Sequence, residues 1–93
     1  MSKVLLDSTI VRSSDQVSTD LGGEAVILCL QSSEYFGLED VGVRIWNMIQ
    51  EPKTVRDILD TLLNDYDVEP KRCERDLLAV LQEMADEGLV EIK

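Results

Sequence analysis

The chain has 93 residues, 44% hydrophobic and 30% charged, which suffices for one modest core and not for two. Its formal net charge of −10 opposes binding to nucleic acid or anionic membrane, since both need clustered Lys and Arg to displace counterions. No apolar run approaches the roughly 20 residues that span a bilayer.

The N-terminal "MSKVLLDSTIV" has one lysine and a short apolar patch, without the long apolar region or cleavage site of a signal peptide. Cys29 and Cys73 lie far apart and form no CxxC or Cys/His pattern, as expected of thiols in a reducing cytosol. The expectation is a single cytoplasmic domain over residues 1–93, with residues 1–8 flexible.

Strand signals fill the front of the chain. "TIVRS" (Thr9–Ser13) and "QVSTDL" (Gln16–Leu21) alternate in part and flank the polar turn Ser14-Asp15. Gly22-Gly23 is a strand-joining turn signal. "EAVILCL" (Glu24–Leu30) is apolar from Ala25 to Leu30, which predicts a strand at least partly covered on both faces. Gln31-Ser32-Ser33 turns the chain into a last short strand, "EYFGL" (Glu34–Leu38). These segments predict an antiparallel meander of three or four strands.

Helical spacing takes over after Leu38. Val41, Ile45, Trp46 and Ile49 form an apolar stripe behind Glu39-Asp40, whose charges suit a helix N-terminus, and Pro52 closes that region. "TVRD" (Thr54–Asp57) has the form of a capping box, and Val55, Ile58, Leu59, Leu62 and Leu63 then follow one-sided helical spacing. After the polar break at Asn64–Asp67, a third helix is predicted from about Pro70, a residue tolerated in a first turn, to Glu87, with Gly88 as its stop. "LVEI" (Leu89–Ile92) can add a short strand. The fold class is therefore α+β and winged helix-turn-helix-like: an N-terminal three-stranded antiparallel sheet followed by three helices.

The inventory is poor in chemistry. The chain contains no histidine, so no Ser-His or Cys-His pair exists within it. Acidic pairs such as Asp15/Asp20 or Glu83/Glu87 read as solvated surface among 19 acidic residues, and no EF-hand or phosphate-loop spacing occurs. The expectation is no enzyme, no metal and no cofactor. As a recognition helix for DNA, "PKRCERDLLAVLQEMADEG" carries too many carboxylates against Lys71, Arg72 and Arg75.

That helix has a wide apolar arc instead. One stripe runs Cys73, Leu77, Val80, Met84; the other runs Leu78, Leu81, Ala85. Either both stripes are core, or one closes the core while the other lines a groove. The aromatics Tyr35 and Phe36 meanwhile occupy a strand where an exposed sheet edge would normally carry Lys or Pro, with Gly37 permitting close backbone approach. An open edge beside an apolar helix suits strand addition, in which a peptide backbone joins the sheet and alternate side chains enter pockets.

These residues resemble the PqqD-like proteins, the recognition elements that bind leader peptides of ribosomally made, post-translationally modified peptides. The resemblance covers about Leu21 to Val90. It rests on Phe36-Gly37-Leu38, Gly42 ahead of Ile45-Trp46, Pro52 with Thr54-Val55, Tyr66-Asp67-Val68 and Gly88-Leu89-Val90, in that order. "DLGGEAVILCL" followed by "YFGL" is most similar to the discrete leader-binding proteins of lasso-peptide pathways.

The resemblance implies a non-catalytic, cytoplasmic protein that takes its leader as an antiparallel strand along Glu34, Tyr35, Phe36, Gly37 and Leu38. The groove wall would come from Cys73, Leu77, Val80, Leu81 and Met84, with Arg72 and Arg75 able to meet acidic leader residues. Trp46, Ile45 and Ile49 would hold strand and helix apart. Implied partners are the precursor leader peptide, a leader peptidase and a macrocyclase, or a radical-SAM maturase if the pathway is of the other kind. No nucleic acid or membrane partner is expected. Two alternatives of other classes stay open: a DNA-binding winged helix, and a scaffold whose edge pairs with a second copy, making the chain a monomer or a weak edge-mediated homodimer.

Overall fold

A computed structural model describes residues 3–20 and 24–93. In chain order these form β1 (Thr9–Arg12), β2 (Gln16–Asp20), β3 (Glu24–Cys29), β4 (Glu34–Glu39), α1 (Val41–Met48), β5 (Lys53–Thr54), α2 (Val55–Asp65), α3 (Pro70–Asp86) and β6 (Val90–Ile92). The fold is α+β, with two small antiparallel sheets and three helices. Among the described residues no helix is long and apolar enough to cross a membrane. The turn expected at Gly22-Gly23 lies outside the described residues.

The meander is β2-β3-β4, with β3 central. Its registers run from Gln16↔Cys29 to Asp20↔Ala25 and from Glu24↔Glu39 to Cys29↔Glu34. Alternation sorts the side chains: Ala25, Ile27 and Cys29 are buried, and Phe36 and Leu38, opposite Ile27 and Ala25, pack against the same core. The other face carries Val17, Leu28 and Tyr35 in one cross-strand row, with Val17 and Tyr35 exposed.

β1 departs from the predicted meander. It does not pair with β2 across the Ser14-Asp15 turn, but lies between β5 and β6 in a second sheet. Its partners are Thr54 and Lys53 on one side and Val90–Ile92 on the other. Adjacent segments usually pair, but here both edges of β1 are satisfied by strands from much later in the chain. The preceding backbone serves α2: Ser8 and Leu6 carbonyls accept from the Val55 and Arg56 N–H groups, which a helix's first turn leaves unpaired. Of the stretch 1–8 expected to be flexible, residues 1 and 2 lie outside the described residues. Val4 is buried, and its N–H donates to Gln82 Oε1 at 2.8 Å.

The helices start where their caps require. The Thr54 side chain accepts from Asp57 N–H at α2, and the Glu69 carboxylate accepts from Lys71 and Arg72 N–H at α3, with Pro70 in the first turn. Gly88 ends α3 at φ +79°, where glycine carries no Cβ penalty. Asp40 joins β4 to α1 at φ 52° and ψ −120°, outside the left-handed helical region and strained for a residue with a Cβ. The core that receives these elements includes Ile10, Ile27, Ile45, Trp46, Ile49, Val55, Ile58 and Leu81, all almost fully buried.

Arg12 fastens β1 to α1. Its Nε and Nη2 donate to the Trp46 carbonyl at 3.0 and 2.7 Å, and the guanidinium sits 4.4 Å from the centre of the Trp46 ring. Trp46 O is one of the last helical carbonyls, so a cation there also complements the helix dipole. Partial burial lowers the Arg12 pKa from its ordinary value, while the charge persists at any neutral pH. Arg12→Met is expected to cost about 2 kcal/mol of unfolding free energy, from the lost charged hydrogen bonds and ring contact. Arg12→Lys should recover only part, because Lys lacks the planar fork. Urea denaturation of the three proteins measures both.

Candidate functional site

Two features meet at the junction of β4 and α1. The first is the strand itself: β3 pairs with every residue of β4 from Glu34 to Glu39 on one side. β4 ends the sheet order, so its other edge pairs with no strand among the described residues. Tyr35 is 71% exposed there, too open for a packing role. A Cβ built on Gly37 would meet nothing within 4 Å among the described residues, so the chain's own packing does not demand glycine at that position.

The second feature is a cavity of about 620 Å³, within the usual range for ligand pockets. Its apolar lining is Val41 and Ile45 from α1, Leu62 from α2, Val68 from the α2–α3 loop, and Cys73, Leu77 and Val80 from α3. Val41 follows β4 by two residues, which places one cavity wall next to the end of the open strand. Asp67, Glu69, Arg72 and Asp76 complete the lining. Among the described residues, no cluster of His, Cys, Asp or Glu is arranged to hold a metal ion.

The cavity exists because one apolar stripe does two jobs. Leu77 is buried and forms part of the wall, while Val80, one turn on, is 36% exposed. Val41 belongs by spacing to the stripe of Ile45, Trp46 and Ile49, which are buried, yet it remains 39% exposed. Val68 is 47% exposed in an otherwise polar loop. Exposed aliphatic side chains grouped around one hollow mark a binding surface more than scattered ones do.

Residues 24–90 match the family model of coenzyme PQQ synthesis protein D (PqqD). This chain belongs to the PqqD family. The matched region runs from β3 to the first residue of β6 and contains both the open strand and the cavity. Among solved structures the chain is similar to TbiB1 in complex with the TbiA(beta) leader peptide. The identity is 38% over 87% of this chain and 94% of that one, with a TM-score of 0.82. It also shares its fold with lasso peptide synthetase B1 complexed with the leader peptide, at 22% identity over 88% and 96% of the two chains and a TM-score of 0.78. No curated protein matches the sequence.

In this PqqD-family domain the residues singled out from sequence fall into three groups. Glu34, Tyr35, Phe36, Gly37 and Leu38 lie together on β4. Arg72, Cys73, Leu77 and Val80 line the cavity. Leu81 and Met84 are buried in the core and contribute nothing to the lining, and Arg75 is exposed outside it. The two arginines converge on one carboxylate: Arg72 Nε is 3.9 Å from Asp76 Oδ2, and Arg75 Nε is 3.7 Å from Asp76 Oδ1. All three side chains are well exposed, so these pairs add little to stability.

Sequence reasoning missed Val41, Leu62, Val68 and the acidic members of the lining, and assigned Ile45 to the core alone. The usable signal was Val68, a lone aliphatic in "NDYDVEP".

Cys73 offers a direct probe of the cavity. Burial, and then the negative charge of Asp76, raise its thiol pKa from the ordinary value, so less thiolate is present at neutral pH than on a free cysteine. Iodoacetamide should therefore alkylate Cys73 more slowly than a cysteine in an unstructured peptide at pH 7, with the rate climbing as pH rises into the alkaline range. Cys29 is buried and should contribute little. Mass spectrometry of labelled protein against pH measures the two rates; parity with the free peptide at pH 7 would contradict the assigned environment.

Proposed function

We propose that this chain is a non-catalytic leader-peptide-binding protein. It captures the leader of a ribosomally made precursor as an added antiparallel strand on the open edge of β4, and seats apolar leader side chains in the cavity beside α3. The observation that carries this is the adjacency of an unpaired strand edge and a mostly apolar cavity, within a chain 38% identical to a protein solved with a leader peptide bound. Main-chain hydrogen bonds along an added strand give affinity without regard to side chain, and the cavity gives selectivity.

The contact set is Glu34 to Leu38 on the strand, with Cys73, Leu77 and Val80 as the helix wall. Delivery of the bound precursor to a leader peptidase and a macrocyclase of the same cytoplasmic pathway follows from that role. The lasso pathway is favoured over a radical-SAM maturase by the run Leu21-Gly22-Gly23-Glu24 followed by Tyr35-Phe36-Gly37-Leu38. A winged-helix DNA-binding role has no comparable support, because the first half of α3 presents Glu74 and Asp76 along with its arginines.

Magnitudes suit capture and release. Burying two or three apolar leader side chains contributes about 1.5–3 kcal/mol each, and ordering a flexible leader offsets part of that. The expected dissociation constant lies between about a micromolar and tens of nanomolar.

Val80→Asp places a charge in the cavity wall at a residue already partly exposed, so it should leave the circular dichroism and melting curve nearly unchanged while weakening leader binding at least tenfold. Leu77→Asp at a buried position should instead unfold the protein. A leader N-methylated at alternate residues tests the strand. Methylation on the set whose N–H groups face β4 should abolish binding, and methylation on the other set should be tolerated. Equal tolerance of both sets in calorimetric titration would refute strand addition.

A further inference from the structure

The rim of the cavity is not neutral. Asp67, Glu69 and Asp76 line it with Arg72, and Arg75 reaches Asp76 from outside the lining, so three carboxylates against two guanidinium groups leave one net negative charge around an apolar floor. Each carboxylate comes from a different place: the α2–α3 loop, the N-cap of α3 and the second turn of α3. The Glu69 carboxylate is held by two backbone N–H groups, with Oε2 2.7 Å from Arg72 N and Oε1 3.3 Å from Lys71 N. Arg72 and Arg75 both lean on Asp76, and Glu69 caps α3, so Asp67 is the lining carboxylate that makes no ion pair among the described residues. The chain as a whole adds a field of the same sign, at a formal −10.

We infer that the leader segment filling this cavity carries a Lys or Arg next to its apolar anchor, with the cation at the rim beside Asp67. This rests on the leader-binding role and specifies which leaders it accepts. A basic side chain suits the place on two counts. Its methylene stem can lie on Val41, Leu77 or Val80 while the charged head stays at the wet rim, and the head meets a net negative potential. An acidic residue at the same place meets that potential with the wrong sign, which excludes it more than the basic residue is attracted.

The test is a charge scan of the leader from the precursor encoded with this protein, each position made Lys and Glu in turn, with binding followed by fluorescence anisotropy at low and high salt. At one or two positions flanking the cavity-filling apolar residue, Lys should bind about 3- to 10-fold tighter than Glu at low ionic strength, shrinking to less than about 2-fold at half-molar salt. Asp67→Asn should erase that preference. Asp60→Asn removes the same charge outside the lining and should retain it. Preference for Glu, indifference at every position, or equal loss in the control variant would overturn the inference while leaving leader binding intact. Failure of every leader variant to bind, with the protein folded by circular dichroism, would overturn leader binding itself and this inference with it.

Discussion

Strand β4 is paired on one side only among the described residues, and the cavity lies beside its end. Its pairing with β3 is continuous over six residues and is reinforced from behind by Phe36 and Leu38 against the core. Among the described residues no strand pairs with the far edge, whose backbone groups proteins ordinarily cover, bulge away or guard with charge. Asp40 then turns the chain directly into α1, so the end of the open strand and the Val41 wall of the cavity cannot drift apart. For the proposed strand addition, main-chain partners and a side-chain pocket already lie side by side, and such preorganisation spares part of the ordering cost of binding.

The frame is stiffened from a distance. β1 is a short strand with both edges used, and it gathers the start of α2, the end of α1 and the C-terminal strand. Arg12 makes the tightest of these ties, gripping the Trp46 carbonyl and covering the indole. Trp46 shows why three of the four aromatics cluster at this junction. It is a buried fulcrum under α1, Phe36 is the strand's grip on the same core, and Tyr35 alone faces solvent. Trp46 and Phe36 thereby position the edge.

The helices were legible in sequence because their signals are local. Thr54 caps at the residue where "TVRD" places it, Pro70 opens the third helix, and Gly88 closes it at positive φ. The strands β2 to β4 were legible for the same reason, through alternation and turn residues. The partners of β1 were not, because pairing Ile10 with Ile92 and with Lys53 depends on where three helices deliver those residues, which no window of neighbouring residues encodes. The site divides along the same line. The apolar arc of α3 could be read from spacing, but its split into core and wall could not: Leu81 turns inward while Val80 opens to the cavity, and only the docking of α1 and α2 decides between them. The acidic rim was invisible as a rim, since its members are separated along the chain and pass for ordinary solvated charges.

Amide hydrogen exchange of the free and leader-bound protein tests strand addition most directly, because it reads the backbone of β4 residue by residue. Leader binding is expected to slow exchange at alternate amides between Glu34 and Glu39, those facing away from β3, with weaker slowing along Cys73 to Val80. Slowing confined to α3, with β4 unchanged in the presence of saturating leader, would contradict strand addition and leave a side-chain pocket alone to do the binding.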